Sequence, residues 1–216
     1  NNADGGTRSG AAWEYGQLGI AAGPTNEPSF PYVYGTNLDG SYSNNANAFV
    51  ISPTYSIPAD GSAYLTFDKW VCTENYWDAV GMYIKVNNAP WQYFDPGLPG
   101  WYDGTPGYSG NAMYGNDVWM GGDCGQSDFE NRMAPLDSYA GSNVKFRFQI
   151  STDSSVIYQG GYIDNFGVTV ANYGQGGHWL SPPFVASSID DFNMGWIDID
   201  ASSPDNTSIR GTLIDA

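Results

Sequence analysis

The chain has 216 residues, and its 23 acidic side chains against 7 basic ones give a formal charge of −16. That charge repels phosphate backbones and sets the protein against nucleic-acid binding. No apolar run reaches the ~20 residues of a helical membrane span, and His178 is the single histidine, so neither a histidine-based zinc site nor a Ser–His–Asp triad is expected.

The 28 glycines, 13 prolines, 16 tyrosines and 8 tryptophans describe short strands joined by many turns, which predicts an all-β chain. The acidic bias lies in aspartate, with 19 Asp and 4 Glu. Asp suits turns and oxygen-rich cation sites, whereas Glu suits helices, so the bias fits an extracellular Ca²⁺-binding protein. It fits a saline habitat equally, since net charge maintains solubility.

Residues 1–12 are small and polar and read as a flexible lead-in, with the opening Asn1–Gly6 resembling a terminus left by processing. Short strands are expected near 13–19 and 32–36, and longer ones over 47–52, 63–71 and 79–87. Between 88 and 128 lies an excursion with no clear period, rich in Gly, Trp and Tyr; loops this long carry function or their own packing. A further short strand is expected at 129–133, then clear strands at 144–151 and 162–170. In the first of these Val144, Phe146, Phe148 and Ile150 alternate with Lys145, Arg147 and Gln149, the period of two of a strand with one buried face. In the second, strict alternation puts Tyr162, Asp164, Phe166, Val168 and Val170 on one face. Asp164 must then be paired, hydrogen-bonded or cation-bound, because burying a bare carboxylate is too costly.

Residues 173–183, Gly-rich and ending in Pro182-Pro183, read as a linker. Beyond it, 184–216 holds two strand patterns, one from Trp196 to Ala201 and one from Ser208 to Ile214, which together form an additional C-terminal pair. Their apolar rows cannot be buried by two strands alone, so the pair should dock on the first domain, open a further β element or complete a neighbour's sheet. Asn206-Thr207-Ser208 is a glycosylation sequon.

Several ordered pieces carry a family resemblance: Trp13-Glu14-Tyr15, Leu38-Asp39-Gly40-Ser41-Tyr42, Ile51-Ser52-Pro53, Leu65-Thr66-Phe67 with Glu74 and Asp78, Leu136–Gly141, Phe146-Arg147-Phe148 with Asp153, and Gly161-Tyr162-Ile163-Asp164. Together, over residues 11–172, they resemble the MAM-type jelly rolls of secreted bacterial and archaeal proteins, including immune-inhibitor-A-type metalloproteases. The resemblance implies an antiparallel jelly-roll β-sandwich in residues 1–172; it does not imply one function, since such modules sit on many proteins.

The candidate oxygen donors for Ca²⁺ are Asp39, Glu74, Asp78, Asp153 and Asp164, and likeness to Ca²⁺-binding jelly rolls favours that role. The alternative is a set of separate acids, each capping its own turn. Within the excursion, Trp101, Tyr102, Tyr108 and Tyr114 are the candidate ligand-binding rings, while Trp91 and Trp119, near strand ends, are expected to be structural. The competing reading packs most of these rings onto the sandwich as a lid. Cys72 and Cys124 stand alone without metal-ligand spacing; given the secreted character of the chain a disulfide is preferred over two buried thiols.

The sequence predicts no catalytic residue. Its leading reading is a secreted or cell-surface recognition module with a structural Ca²⁺, binding a glycan or an extracellular protein surface. The alternatives are a surface-layer or filament subunit that self-assembles through the C-terminal strands, and a glycan hydrolase or lyase using a carboxylate pair.

Overall fold

The computed structural model describes residues 13–19, 23–29, 31–59 and 62–171. The expected linker, the C-terminal strand pair, the sequon and His178 lie outside the described residues.

Ten strands make up the fold: β1 (Glu14–Gly16), β2 (Val33–Gly35), β3 (Asn47–Ile51), β4 (Tyr55–Ser56), β5 (Ser62–Cys72), β6 (Ala79–Val86), β7 (Gln92–Tyr93), β8 (Glu130–Pro135), β9 (Asn143–Ser151) and β10 (Gly160–Ala171). The one helical turn among the described residues is a 3-10 turn at Asp137–Tyr139. One sheet runs β1-β2-β10-β5-β8; the other runs β3-β9-β6-β7, with β4 also paired to β9. Every strand pairing is antiparallel, which gives the expected antiparallel sandwich. The strands expected between residues 13 and 170 are all present; β4 and β7, two residues each, are too short to leave a period in the sequence.

The two sheets bury their alternate rows against each other. Leu65, Phe67 and Val71 of β5 and Ile163 of β10 face Val80, Met82 and Ile84 of β6 and Val144, Phe146, Phe148 and Ile150 of β9. Phe67 sits at the centre, edge-on to Trp101, Trp119 and Phe148 at 5.8, 5.8 and 5.1 Å between ring centroids. Such edge-to-face pairs each add about 0.5–1.5 kcal/mol beyond area burial. A second, smaller cluster on the outer side of the first sheet holds Val33, Leu38, Trp70, Cys72 and Tyr162.

The expectation for β10 is corrected here. Its register against β5 shifts between Asp164, opposite Asp68, and Gly167, opposite Thr66. Asn165 and Phe166 therefore share one partner, a β-bulge, with Asn165 at φ +47°. The extra residue reverses the alternation. Tyr162 packs in the outer cluster and Ile163 in the main core, whereas beyond the bulge Phe166, Val168 and Val170 pack on the main core. Asp164 thus lies on the face of Tyr162, opposite the apolar row that strict alternation would have given it.

Candidate functional site

The acids that converge do so at one end of the β6–β9 pair. Residues 73–78 turn from β5 into β6; the N–H groups of Trp77 and Asp78 both donate to the Glu74 carbonyl, at 3.3 and 2.9 Å. The Thr73 hydroxyl closes the turn by donating to the Asp78 carbonyl at 3.0 Å. This geometry turns Asp78 inward, where it is fully buried. Its Oδ2 accepts from the Tyr42 hydroxyl at 2.7 Å, and its Oδ1 accepts from the Asp153 N–H at 2.6 Å. Tyr42 in turn accepts from the Glu74 N–H at 3.1 Å. Asp153 follows β9 and accepts from the Ser155 N–H at 2.8 Å.

Carboxylate oxygens of Glu74, Asp78 and Asp153 lie within 4.8 Å of one another. No lysine or arginine among the described residues pairs with them. Burial pushes the Asp78 carboxyl up to about 6, reinforced by repulsion from Asp153 and Glu74 and opposed by its two hydrogen bonds. Burial and the Asp153 charge also raise Glu74. Glu74 Oε2 is buried without any hydrogen-bond partner, a costly condition for a carboxylate oxygen. Three converging carboxylates, one of them with an orphaned oxygen, and a tyrosine oxygen beside them match the donor chemistry of a hard divalent cation such as Ca²⁺. Three of the five sequence candidates are thus brought together.

The other two are elsewhere. Asp164 accepts from the Ser29 N–H at 2.8 Å, from the Ser29 hydroxyl and from the Asn165 N–H at 2.7 Å. It ties the segment before β2 to the bulge, the role of a turn-binding acid. Asp39 is exposed in the Leu38–Gly40 turn, its N–H donating to Asn37 Oδ1 at 3.1 Å. Tyr42, which bridges Glu74 and Asp78, was missed as a site residue although it closes the Leu38–Tyr42 motif.

Cys72 and Cys124 form a disulfide with a Cα–Cα separation of 4.8 Å. It pins the end of the excursion to β5 alongside a buried ion pair, Lys69 with Asp123 at 3.2 Å. Asp123 Oδ2 also accepts from the Val71 N–H at 2.7 Å. Upstream, Trp119 exchanges both backbone hydrogen bonds with Val80, each at 2.9 Å, and Phe94 donates to the Met82 carbonyl at 2.9 Å.

The excursion is therefore largely a lid, and two ligand-binding candidates are corrected. Trp101 is 4% exposed and packs in the main core. Tyr102 packs against that core, stacks on Tyr93 and donates its hydroxyl to the Phe94 carbonyl at 2.6 Å. Large rings spaced by glycines have the composition of an exposed loop, but apolar area this large is more stable over core. Tyr108 and Tyr114 remain exposed, at 37% and 54%. The exposed rings that join them come from the acid-bearing turn itself: Tyr76 is 59% exposed and Trp77, tilted against Tyr108 at 5.4 Å, is 45% exposed. The Gly107 N–H donates to the Tyr76 carbonyl at 2.9 Å and the Asn111 amide to the Trp77 carbonyl at 2.9 Å, joining the excursion to this turn.

Fold and site together define a β-sandwich module with an acid cluster and exposed aromatic rings on the loops at one end. No protein-family model matches the sequence. Over 153 residues the chain is 28% identical to Bacillopeptidase F of Bacillus subtilis (strain 168), a match that covers 71% of this chain and 9% of that protein. Among solved structures, a carbohydrate-binding module in complex with β-1,4-galactotriose aligns with a TM-score of 0.38 and 12% identity, covering 67% of this chain and 74% of that one.

Proposed function

We propose that the chain is a non-catalytic, extracellular glycan-recognition module whose binding loops are held in place by Ca²⁺. The carrying observation is the turn Glu74–Asp78. It directs Glu74 and Asp78 into the acid cluster while Tyr76 and Trp77 remain exposed beside Tyr108. Flat, rigid rings with polar tips suit the C–H faces and hydroxyls of sugars. Tyr76 has φ +69°, an uncommon conformation for a bulky residue, and strain of this kind gathers at binding loops held by their surroundings.

Glu74, Asp78 and Asp153 would hold the cation, which supplies positive charge where the chain supplies three negative ones. The disulfide supports an oxidising, extracellular setting. The match to 9% of Bacillopeptidase F supports reading the chain as one accessory module of a longer protein.

The test is retention on insoluble polysaccharides in Ca²⁺ buffer for the unaltered chain and for Trp77→Ala and Tyr108→Ala. Retention that falls at least tenfold in both variants, with unchanged melting temperature, is expected. Retention on no polysaccharide, or retention indifferent to both rings, overturns the reading.

A further inference from the structure

At the opposite end of the same β6–β9 pair the electrostatics reverse. The Ala79–Ser151 end of the ladder carries the acid cluster, and the Val86–Val144 end lies seven residue pairs away, roughly 20 Å at strand rise. Here a groove of about 510 Å³ is lined by Ile51, Thr54, Lys85, Asn87, Asn88, Trp91, Asn143 and Lys145. The volume is within the ~300–1,000 Å³ of small-ligand sites. The whole chain has seven basic side chains. Two of them line this groove, and a third, Arg147, stands beside it with its guanidinium 4.3 Å from the Tyr83 ring centroid and 5.0 Å from that of Trp91.

Lys85 and Lys145 are direct cross-strand partners. Like charges so placed are destabilising, and neither lysine is paired with an acid among the described residues. In a chain of charge −16, which has carboxylates to spare, this bare pair is unexplained by folding. Arg147 Nε is buried without a hydrogen-bond partner, its guanidinium held instead by the rings.

The amides of the wall face the same way chemically. Asn87 Oδ1 accepts from the Asn143 N–H at 3.0 Å, and Asn143 Oδ1 accepts from the Ser56 hydroxyl at 2.6 Å. With their oxygens engaged, these amides have NH₂ groups left to offer. The groove is thus a wall of donors: two ammonium groups and amide NH₂ groups around an indole.

We propose that this groove binds a short, carboxylate-bearing oligosaccharide of the uronate type, at a site separate from the loop rings. A uronate oligomer presents acceptors and negative charge to the lysines and amides and a C–H face to Trp91. An acidic peptide fits less well, since its backbone offers Trp91 no C–H ring face of the kind a sugar presents.

The probe is trigalacturonate, titrated calorimetrically into the full chain at fixed Ca²⁺. A neutral trisaccharide of the same linkage and triglutamate are run alongside. Trigalacturonate should bind at least tenfold more tightly than either, with affinity falling as salt rises. Lys85→Gln/Lys145→Gln should weaken it at least tenfold and flatten the salt dependence, while its melting temperature holds or rises as the repulsion is removed. Trp77→Ala should leave this binding unchanged, which separates it from the loop reading. No binding of trigalacturonate at millimolar concentration overturns the proposal. So does equal binding of the neutral sugar, tighter binding of triglutamate, or indifference to the double lysine change.

Discussion

In chelator the protein should become more stable as the solution is acidified from pH 7.5 to 5, the reverse of ordinary acid sensitivity. Asp78 is fully buried, and its carboxyl is raised from 3.8 to about 6. A carboxyl whose folded pKa lies above its unfolded one binds more protons in the native state, so stability falls as pH rises through that window. At about 1.4 kcal/mol for each tenfold step in proton affinity, the penalty above pH 6 is at most about 3 kcal/mol. About half of it is regained between pH 7.5 and 5, roughly 1.5 kcal/mol, which for a domain of this size corresponds to roughly 3–6 °C in melting temperature. Glu130 works in the other direction: Lys69 and Arg132 lower its pKa, so its contribution is lost only below the ordinary glutamate range. Burial raises Asp103 as well, so the share that belongs to the acid cluster is the part that Ca²⁺ and Glu74→Gln change. Calorimetric melts in chelator should rise across that interval. Millimolar Ca²⁺ should raise the pH 7.5 melt by a similar amount and the pH 5 melt far less, because the cation then competes with a proton. Glu74→Gln should raise the chelated melt at pH 7.5 and blunt the Ca²⁺ response. A chelated melt that is flat over the interval, together with no Ca²⁺ response, would refute the reasoning.

Further outcomes follow from the packing. Reducing the Cys72–Cys124 bridge, which closes 52 positions, should cost about 4 kcal/mol by chain entropy, read as a shift in the denaturant midpoint; an unchanged midpoint would count against it. Trp101→Ala should cost about 3–5 kcal/mol as a core cavity, whereas Tyr114→Ala should stay within about 0.5 kcal/mol; equal effects would mean the lid is misassigned. Asp164→Ala should cost about 1–3 kcal/mol through the orphaned Ser29 and Asn165 donors, by the same amount with Ca²⁺ or with chelator. A loss seen only in Ca²⁺ would return Asp164 to the cation site.

The strands were legible because β9 alternates strictly and β5 and β6 keep an apolar residue at nearly every second position, and such a row is a local property. The bulge in β10 was not legible, since Asn165 and Phe166 look like two ordinary strand positions until β5 supplies the register. The expected placement of Asp164 on the face of Phe166, Val168 and Val170 failed for that reason. Glu74 and Asp78 were found because one turn carries both, and Asp153 because it follows a clear strand; that Tyr42 and Asp78 meet is a long-range fact spanning 36 positions. Trp101 and Tyr102 could not be told from Tyr108 and Tyr114 by composition. What distinguishes them is which rings reach Phe67 and Trp119, and that depends on the path of the excursion. The basic groove was not legible: Lys145 and Arg147 read only as the polar face of a strand, and the acidic composition suggested no basic patch, until the register set Lys85 opposite Lys145.

The strand ladder also determines how the module would respond to a pull along its backbone. β1 and β10 are both antiparallel to β2 and so run parallel to each other in one sheet. Tension applied at Trp13 and at Ala171 would load the intervening ladders in shear, straining their hydrogen bonds together. The joints are unequal. β10 is held to β5 by ten residue pairs, β1 to β2 by three and β2 to β10 by two. The N-terminal side would therefore yield first, shedding β1 and β2 and drawing Trp13 from the core. The stretch between Cys72 and Cys124 would be shielded by its covalent bond and could not pay out length. As a link in a longer chain, the module would act as a fuse at its N-terminal edge and a fixed knot behind it.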